Sequence, residues 1–130
     1  MKIWRVEDKN GIGCYQHITD HPHHYDIIID HTENTPKDHP TPINDKGIGR
    51  FIDDDEICGF LNKDQAVKWF SERDLKELGE AGFELKEVEV EKITAIGEKQ
   101  VLAIKRNSLS HKEKKYSPQD LTKQKEYAIL

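Results

Sequence analysis

Glu56-Ile57-Cys58-Gly59-Phe60-Leu61-Asn62-Lys63-Asp64-Gln65-Ala66-Val67-Lys68-Trp69 decides the fold of this chain. Ile57 to Leu61 is an apolar run of strand length. Asn62 then offers an N-cap, and Gln65 stands three residues later, a capping-box spacing ahead of Ala66, Val67 and Phe70. The stretch reads as a short buried strand passing straight into a helix. A second helix follows at once, with Ser71 as its cap and Asp74 at the third helical position. Leu75 and Leu78 form its inward face, and Gly82 is the left-handed residue that ends it.

Strands flank this helical centre. Met1 to Glu7 supplies the first, and Asp8-Lys9-Asn10-Gly11 is turn chemistry that would send Ile12 to Ile18 back as a second. Phe83 to Glu91 reads as a strand whose apolar residues change parity, Phe83 and Leu85 against Val88 and Val90. That change predicts a bulge near Lys86 and Glu87, with Glu87, Glu89 and Glu91 turned to solvent. Val101-Leu102-Ala103-Ile104 lacks alternation, as a central strand does. Four of five prolines and six of seven histidines fall between His17 and Asn44, so this segment is expected to be a long loop, with a short strand at Ile27-Ile28-Ile29. The expected architecture is α+β: a small split β-sheet, two short central helices, a long His/Pro-rich loop and a C-terminal helical tail. Residues 1–106 form one domain, and 107–130 a flexible linker and a terminal helix begun by Ser117-Pro118.

Composition narrows the function. Residues 1–104 carry 13 Lys and Arg against 22 Asp and Glu, whereas 105–130 carry 7 against 3, so an acidic body bears a basic tail and duplex nucleic acid is an unlikely partner. No apolar run reaches the roughly 20 residues that span a bilayer, and no secretory pattern opens the chain, so a cytoplasmic protein without a membrane partner is expected. Cys14 and Cys58 are too few and too far apart for a disulfide framework and read as free thiols.

Three strand-associated stretches carry polar groups that one cleft would gather: Trp4-Arg5-Val6, then Cys58-Gly59-Phe60-Leu61-Asn62 with Lys63-Asp64-Gln65-Ala66, and Glu98-Lys99-Gln100-Val101-Leu102. In that order they resemble the ADP-ribosyltransferase-like fold. The resemblance implies binding of NAD or an ADP-ribose-containing ligand by Arg5, Trp4, Phe60 and Asn62. Glu98 or Gln100 would stand in the catalytic slot, and the ADP-ribose would pass to a macromolecule. A carboxylate beneath the ribose would stabilise the positive charge that develops as the glycosidic bond breaks. The family carries Ser-Thr-Ser where this chain has Gly59-Phe60-Leu61-Asn62, and its catalytic acid ends the motif, whereas Glu98 begins Glu98-Lys99-Gln100. With Gln100 in the catalytic slot, binding alone would remain; with Glu98 there, transfer stays open.

The string from His39-Pro40-Thr41-Pro42 through Cys58-Gly59-Phe60 to Trp69-Phe70 is also similar to small phage-type proteins. The alternative function is therefore a non-catalytic protein-interaction module, or an inhibitor of a host protein, acting through an acidic face, the His-Pro loop or the basic terminal helix.

The remaining motifs have plainer readings. His17, Asp20, His21, His23, His24, His31 and His39 suit Zn²⁺, Ni²⁺ or Cu²⁺ chemically but lack a Cys or His-Glu-x-x-His frame. No metal is assigned to them; the competing readings are a metal-dependent hydrolase and a loop that gains charge below about pH 6.5. Asp53-Asp54-Asp55-Glu56 reads as a solvated turn and Gly47-Ile48-Gly49-Arg50 as a flexible hinge. Cys14 has no evident partner to make it a nucleophile.

Overall fold

A computed structural model describes residues 1–105 of the chain; the linker and helix expected at 107–130 lie outside the described residues. The elements in chain order are β1 (Lys2–Asp8), α1 (His24–Ile29), β2 (Glu56–Gly59), α2 (Lys63–Trp69), α3 (Glu72–Glu80), β3 (Phe83–Ile96) and β4 (Val101–Lys105). All strand pairs are antiparallel, in the order β1-β3-β4-β2. The sheet curls until its edges meet: the Trp4 N–H donates to the Phe60 carbonyl and the Phe60 N–H to the Trp4 carbonyl, both at 2.8 Å.

Curling divides the apolar residues into two cores. Ile3, Val88, Val90, Val101 and Ala103 fill one, with Ile57 and Ile93 packed against them. Every one of these is a strand residue, so this core is the sheet's concave interior. Val6, Phe60 and Phe83 turn outward and meet Ala66, Trp69, Phe70, Leu78, Ile27 and Cys14 from the helical layer. The parity change along β3 follows directly. Phe83 and Leu85 belong to the outer core, Val88 and Val90 to the inner, and β1 pairs without a break from Lys2↔Glu89 to Asp8↔Phe83. The expected bulge near Lys86 is therefore absent, and the register shifts fall farther on, between Val90 and Lys92 and between Ile93 and Ala95, where β3 bends against β4. Gly59 sits where the edges close. A Cβ there would lie 2.5 Å from Ile3 Cδ1 and 2.7 Å from the Trp4 carbonyl oxygen, so only glycine fits.

The helix starts follow the capping chemistry. Asn62 Oδ1 accepts from the Gln65 N–H, while Gln65 Oε1 reaches back to the Leu61 N–H rather than to the cap residue. Ser71 and Asp74 form a reciprocal capping box, and Gly82 (φ 101°) follows α3.

Two expectations are corrected in the first half of the chain. Ile12 to Ile18 makes no second strand: Gly13 forms a single bridge with Glu7, and the chain then turns as Gly13 accepts from Gln16 N–H. Ile27-Ile28-Ile29 lies in α1, not in a strand, and the helix continues into a π-turn over Asp30–Asn34. His24, Ile27 and His31 are its buried residues. Their spacing is that of a helix face on which two of the three inward residues are histidines, so a search for apolar periodicity finds only the isoleucine.

Candidate functional site

The residues singled out from the sequence fall into three places. Arg5, on the concave side of β1, is buried; its Nη1 donates to Glu7 Oε2 at 3.1 Å and its Nη2 to Gln16 Oε1 at 3.3 Å. Glu7 is also buried and lies 3.6 Å from both Lys86 Nζ and Lys105 Nζ. A guanidinium held this way is a structural cation inside the curl. Trp4 and Phe60 pair across the sheet closure on the outer face, Trp4 with Lys63 Nζ 5.9 Å from its ring and Phe60 within the outer core. Asn62 is spent on capping α2.

Glu98 and Gln100 stand at a third place, the turn between β3 and β4. Glu98 is exposed and Gln100 buried. The Gln100 amide donates to the Pro40 carbonyl at 2.7 Å, and the Gln65 amide reaches the Glu98 carbonyl at 3.4 Å. The structure thus brings Glu98, Gln100 and the start of α2 near one another, while Arg5 is bonded to a separate set of partners in the sheet interior.

Asp45 organises the turn. Its buried carboxylate accepts from three consecutive backbone amides: Glu98 N at 2.9 Å, Lys99 N at 3.2 Å and Gln100 N at 3.1 Å. The Glu98 N–H also donates to the Lys46 carbonyl at 2.8 Å. Gly97 passes directly against the Asp45 carboxylate, and a Cβ on Gly47 (φ 103°) would lie 2.6 Å from the Ile96 carbonyl oxygen, so both glycines are demanded by close approach. The stapled loop and turn enclose a cleft of about 350 Å³ lined by Pro36, Lys37, Pro40, Asn44, Asp45, Lys46, Glu98 and Lys99.

Farther along the same loop, Glu56 is buried rather than solvated. Both of its oxygens accept from Arg50 at 2.8 Å, Oε2 also accepts from the Thr94 hydroxyl, and Oε1 from the Asp53 N–H at 2.9 Å. The Arg50 guanidinium and these further donors hold its carboxyl down to about 2. The expected hinge at Gly47–Arg50 is therefore anchored at both ends. Beyond it Phe51 is 75% exposed, as are large parts of Ile96 (55%) and Ile43 (39%).

The histidines serve the outer core. Because His31 Nε2 faces Asp74 Oδ2 at 2.8 Å it carries the proton, leaving Nδ1 to accept from the Tyr15 hydroxyl at 2.5 Å; Trp69 Nε1 in turn donates to Tyr15 at 2.7 Å. His39 stacks on His31 with ring centres 3.7 Å apart and reaches the Trp69 carbonyl at 2.6 Å. His24 bonds the Cys14 carbonyl through Nε2 and the Thr19 N–H through Nδ1. Burial pushes the His24 and His31 pKa values down; Asp74 partly opposes this at His31, whereas the neighbouring His39 adds to it. Burial likewise pushes Cys14 up to about 12 and Cys58 to about 11, so both are thiols at neutral pH. Among the described residues no group of three His, Cys, Asp or Glu is placed to hold a metal ion, and no helix is long and apolar enough to cross a membrane.

Reading the sequence missed Asp45, Lys37, Lys46 and Lys99 because nothing local distinguishes them from loop charges. The nearest signal was the proline-rich spacing around Lys37, Asp45 and Lys46.

The fold and its stapled corner define a small α+β protein with a curled four-stranded antiparallel sheet covered by helices on its convex side. The family model of the bacteriophage T4 Y00F protein matches residues 1–117, and the chain belongs to that family. No curated protein and no solved structure matches it. The similarity to small phage-type proteins is thereby shown.

Proposed function

We propose that this chain is a non-catalytic protein-interaction module of a phage, and that it holds a host protein through the corner built by the 43–52 loop and the β3–β4 turn. One observation carries the reading: large apolar side chains stand in solvent on a loop that is pinned rather than free and on the end of β3 beside it. Asp45 fixes one end of the loop through three amides, and Arg50 with Glu56 fixes the other, while Phe51, Ile96 and Ile43 remain exposed. Apolar anchors on a rigid support lose little conformational entropy on binding, which is how a few residues come to dominate an interface.

The chemistry-bearing residues support binding over turnover. Arg5, Gln100, His24, His31 and His39 are engaged in internal bonds, and both thiols are kept protonated. An NAD-dependent transfer would need Arg5 and Glu98 on one ligand, and Arg5 is committed to Glu7 and Gln16.

Tagged protein incubated with lysate of the bacterial host is expected to retain a partner in stoichiometric amount, identified by mass spectrometry. Phe51→Ser with Ile96→Ser should release it while leaving the circular dichroism and melting of the module unchanged. Retention by the folded double variant removes this surface as the binding site. Calorimetry with NAD provides the opposing test, since saturable NAD binding lost in Arg5→Ala would restore the transferase reading.

A further inference from the structure

The cleft beside that corner has a chemistry that the interaction reading does not use. Its walls are preformed. On the loop side, Pro36 and Pro40 restrict the backbone, the Pro40 carbonyl is tied to the Gln100 amide, and His39 anchors the stretch between them to the Trp69 carbonyl. On the turn side, Asp45 grips the amides of Glu98, Lys99 and Gln100. Two polar side chains, Asp45 and Gln100, are almost wholly buried in making these ties.

Lysines outnumber carboxylates among the cleft's charged lining residues. Lys37, Lys46 and Lys99 line the cleft, and none forms an ion pair with another side chain among the described residues, unlike Lys86 and Lys105, which meet Glu7. Of the two carboxylates present, Asp45 is turned into the backbone and matched by three N–H dipoles, which leaves Glu98 at the rim. Three lysines against two carboxylates give the lining a formal charge of +1, with the Asp45 charge engaged by backbone amides, on a chain whose formal net charge is −5. Ammonium groups on flexible stems are point-charge partners for phosphate oxygens, and proline rings offer apolar walls for whatever carries the phosphate. The cleft's volume of about 350 Å³ falls at the small end of the range for ligand pockets, about 300 Å³ upward.

We propose that this cleft binds a small phosphate-bearing anion, its diphosphate or single phosphate group held by Lys37, Lys46 and Lys99 between the Pro36–Pro40 wall and the β3–β4 turn. The shared chemistry is the phosphate group. A free inorganic phosphate and a nucleotide are its two sources.

The full-length purified chain, with no partner protein present, is titrated separately with pyrophosphate and with ADP at low salt. Binding is followed by calorimetry and by the amide signals of residues 97–100. Saturation at one ligand per chain is expected for at least one of the two. Equal affinity for both assigns the free phosphate as the ligand, and tighter ADP binding assigns the nucleotide. Each of Lys37→Met, Lys46→Met and Lys99→Met should weaken binding by about tenfold, the loss of one charge-assisted bond. Glu98→Gln should tighten pyrophosphate several-fold by removing the rim repulsion. Lys68→Met and Lys76→Met change the net charge equally from exposed positions on α2 and α3 and should leave affinity unchanged. The proposal is overturned if no saturable binding occurs at about 10 mM of either anion. It is overturned equally if the α2 and α3 lysine variants lose as much as the cleft variants, since that result describes diffuse charge attraction. Because the measurement needs no protein partner, it separates this site from the interaction surface at Phe51 and Ile96.

Discussion

The histidine-rich side of the molecule and its lysine-lined corner invert what their compositions suggest. His24, His31 and His39 are the residue type most associated with catalysis and metals, yet all their ring nitrogens are bonded to Cys14, Thr19, Tyr15, Asp74, Thr35 and Trp69. Lys37, Lys46 and Glu98 look like ordinary solvated loop charges, yet they border a cleft whose walls are stapled by buried polar groups. A titratable side chain becomes available to a ligand only when the fold leaves its polar atoms unspent. Residue type alone does not report that.

The contrast breaks most visibly at His31. His31→Ala would take the acceptor from the Tyr15 hydroxyl proton, leave Asp74 Oδ2 with the Ser71 N–H as its remaining donor, and open space beside Phe70, at a cost of about 3 kcal/mol. Urea unfolding should register the loss as a lower midpoint with an unchanged slope. A cost below about 0.5 kcal/mol, the level of a surface substitution, would show that the network is ornamental.

Asp45→Ala tests the corner in the same terms. It removes an acceptor from three amides at once, and a cost of about 2 kcal/mol is expected, together with exchange broadening of the Glu98, Lys99 and Gln100 amides in NMR spectra. Sharp, unshifted signals from those three residues would mean that the turn holds its shape without the loop.

How far these regions were legible beforehand depends on the range of the forces that build them. Helix starts were readable because Ser71 with Asp74 and Asn62 with Gln65 act within four residues. The strands at β1, β2, β3 and β4 announced themselves by apolar density, although Ile12 to Ile18 did not pair. The inner and outer cores were not readable as two cores, since the parity change at Val88 has meaning only once the sheet has curled. The same applies to the site: Asp45 lies more than fifty residues from the amides it holds, a distance across which no local pattern operates. Arg5 and Glu98 stood out as polar groups near strand ends, but the burial of Arg5 with Glu7 is a tertiary event. α1 was hidden because its inward residues at 24 and 31 are polar by type and buried by context.

Acid sharpens the comparison because the two regions fail in different ranges of pH. The pKa values of His24 and His31 are lowered in the fold, so the unfolded chain binds protons first as pH falls below about 6.5. Their contribution to stability is complete above that value and declines below it. Glu56 is held down to about 2 from 4.5, so the Arg50–Glu56 anchor adds stability above about 4.5 that is lost as pH falls toward 2. Melting temperatures measured from pH 7.5 to 3 should therefore fall in two stages. Replacing His31 by Gln should diminish the upper stage, and Glu56→Gln the lower; a single stage unaffected by either substitution would assign the acid response elsewhere.

Phe51→Ser should have the smallest effect on folding, and that smallness is what separates the corner from the histidine side. Phe51 is 75% exposed, and its backbone carbonyl, not its ring, accepts from Arg50. Removing the ring takes nothing from either core, so stability should change by less than about 0.5 kcal/mol. Binding is where the substitution should register: an apolar anchor displayed on a pinned loop contributes about 2 kcal/mol or more when a partner buries it. A large loss of stability in Phe51→Ser would mean that the ring packs within the fold, and the corner would then resemble the histidine side, its prominent residue consumed by structure. An unchanged melt with lost partner binding would place the working surface where the side chains remain uncommitted.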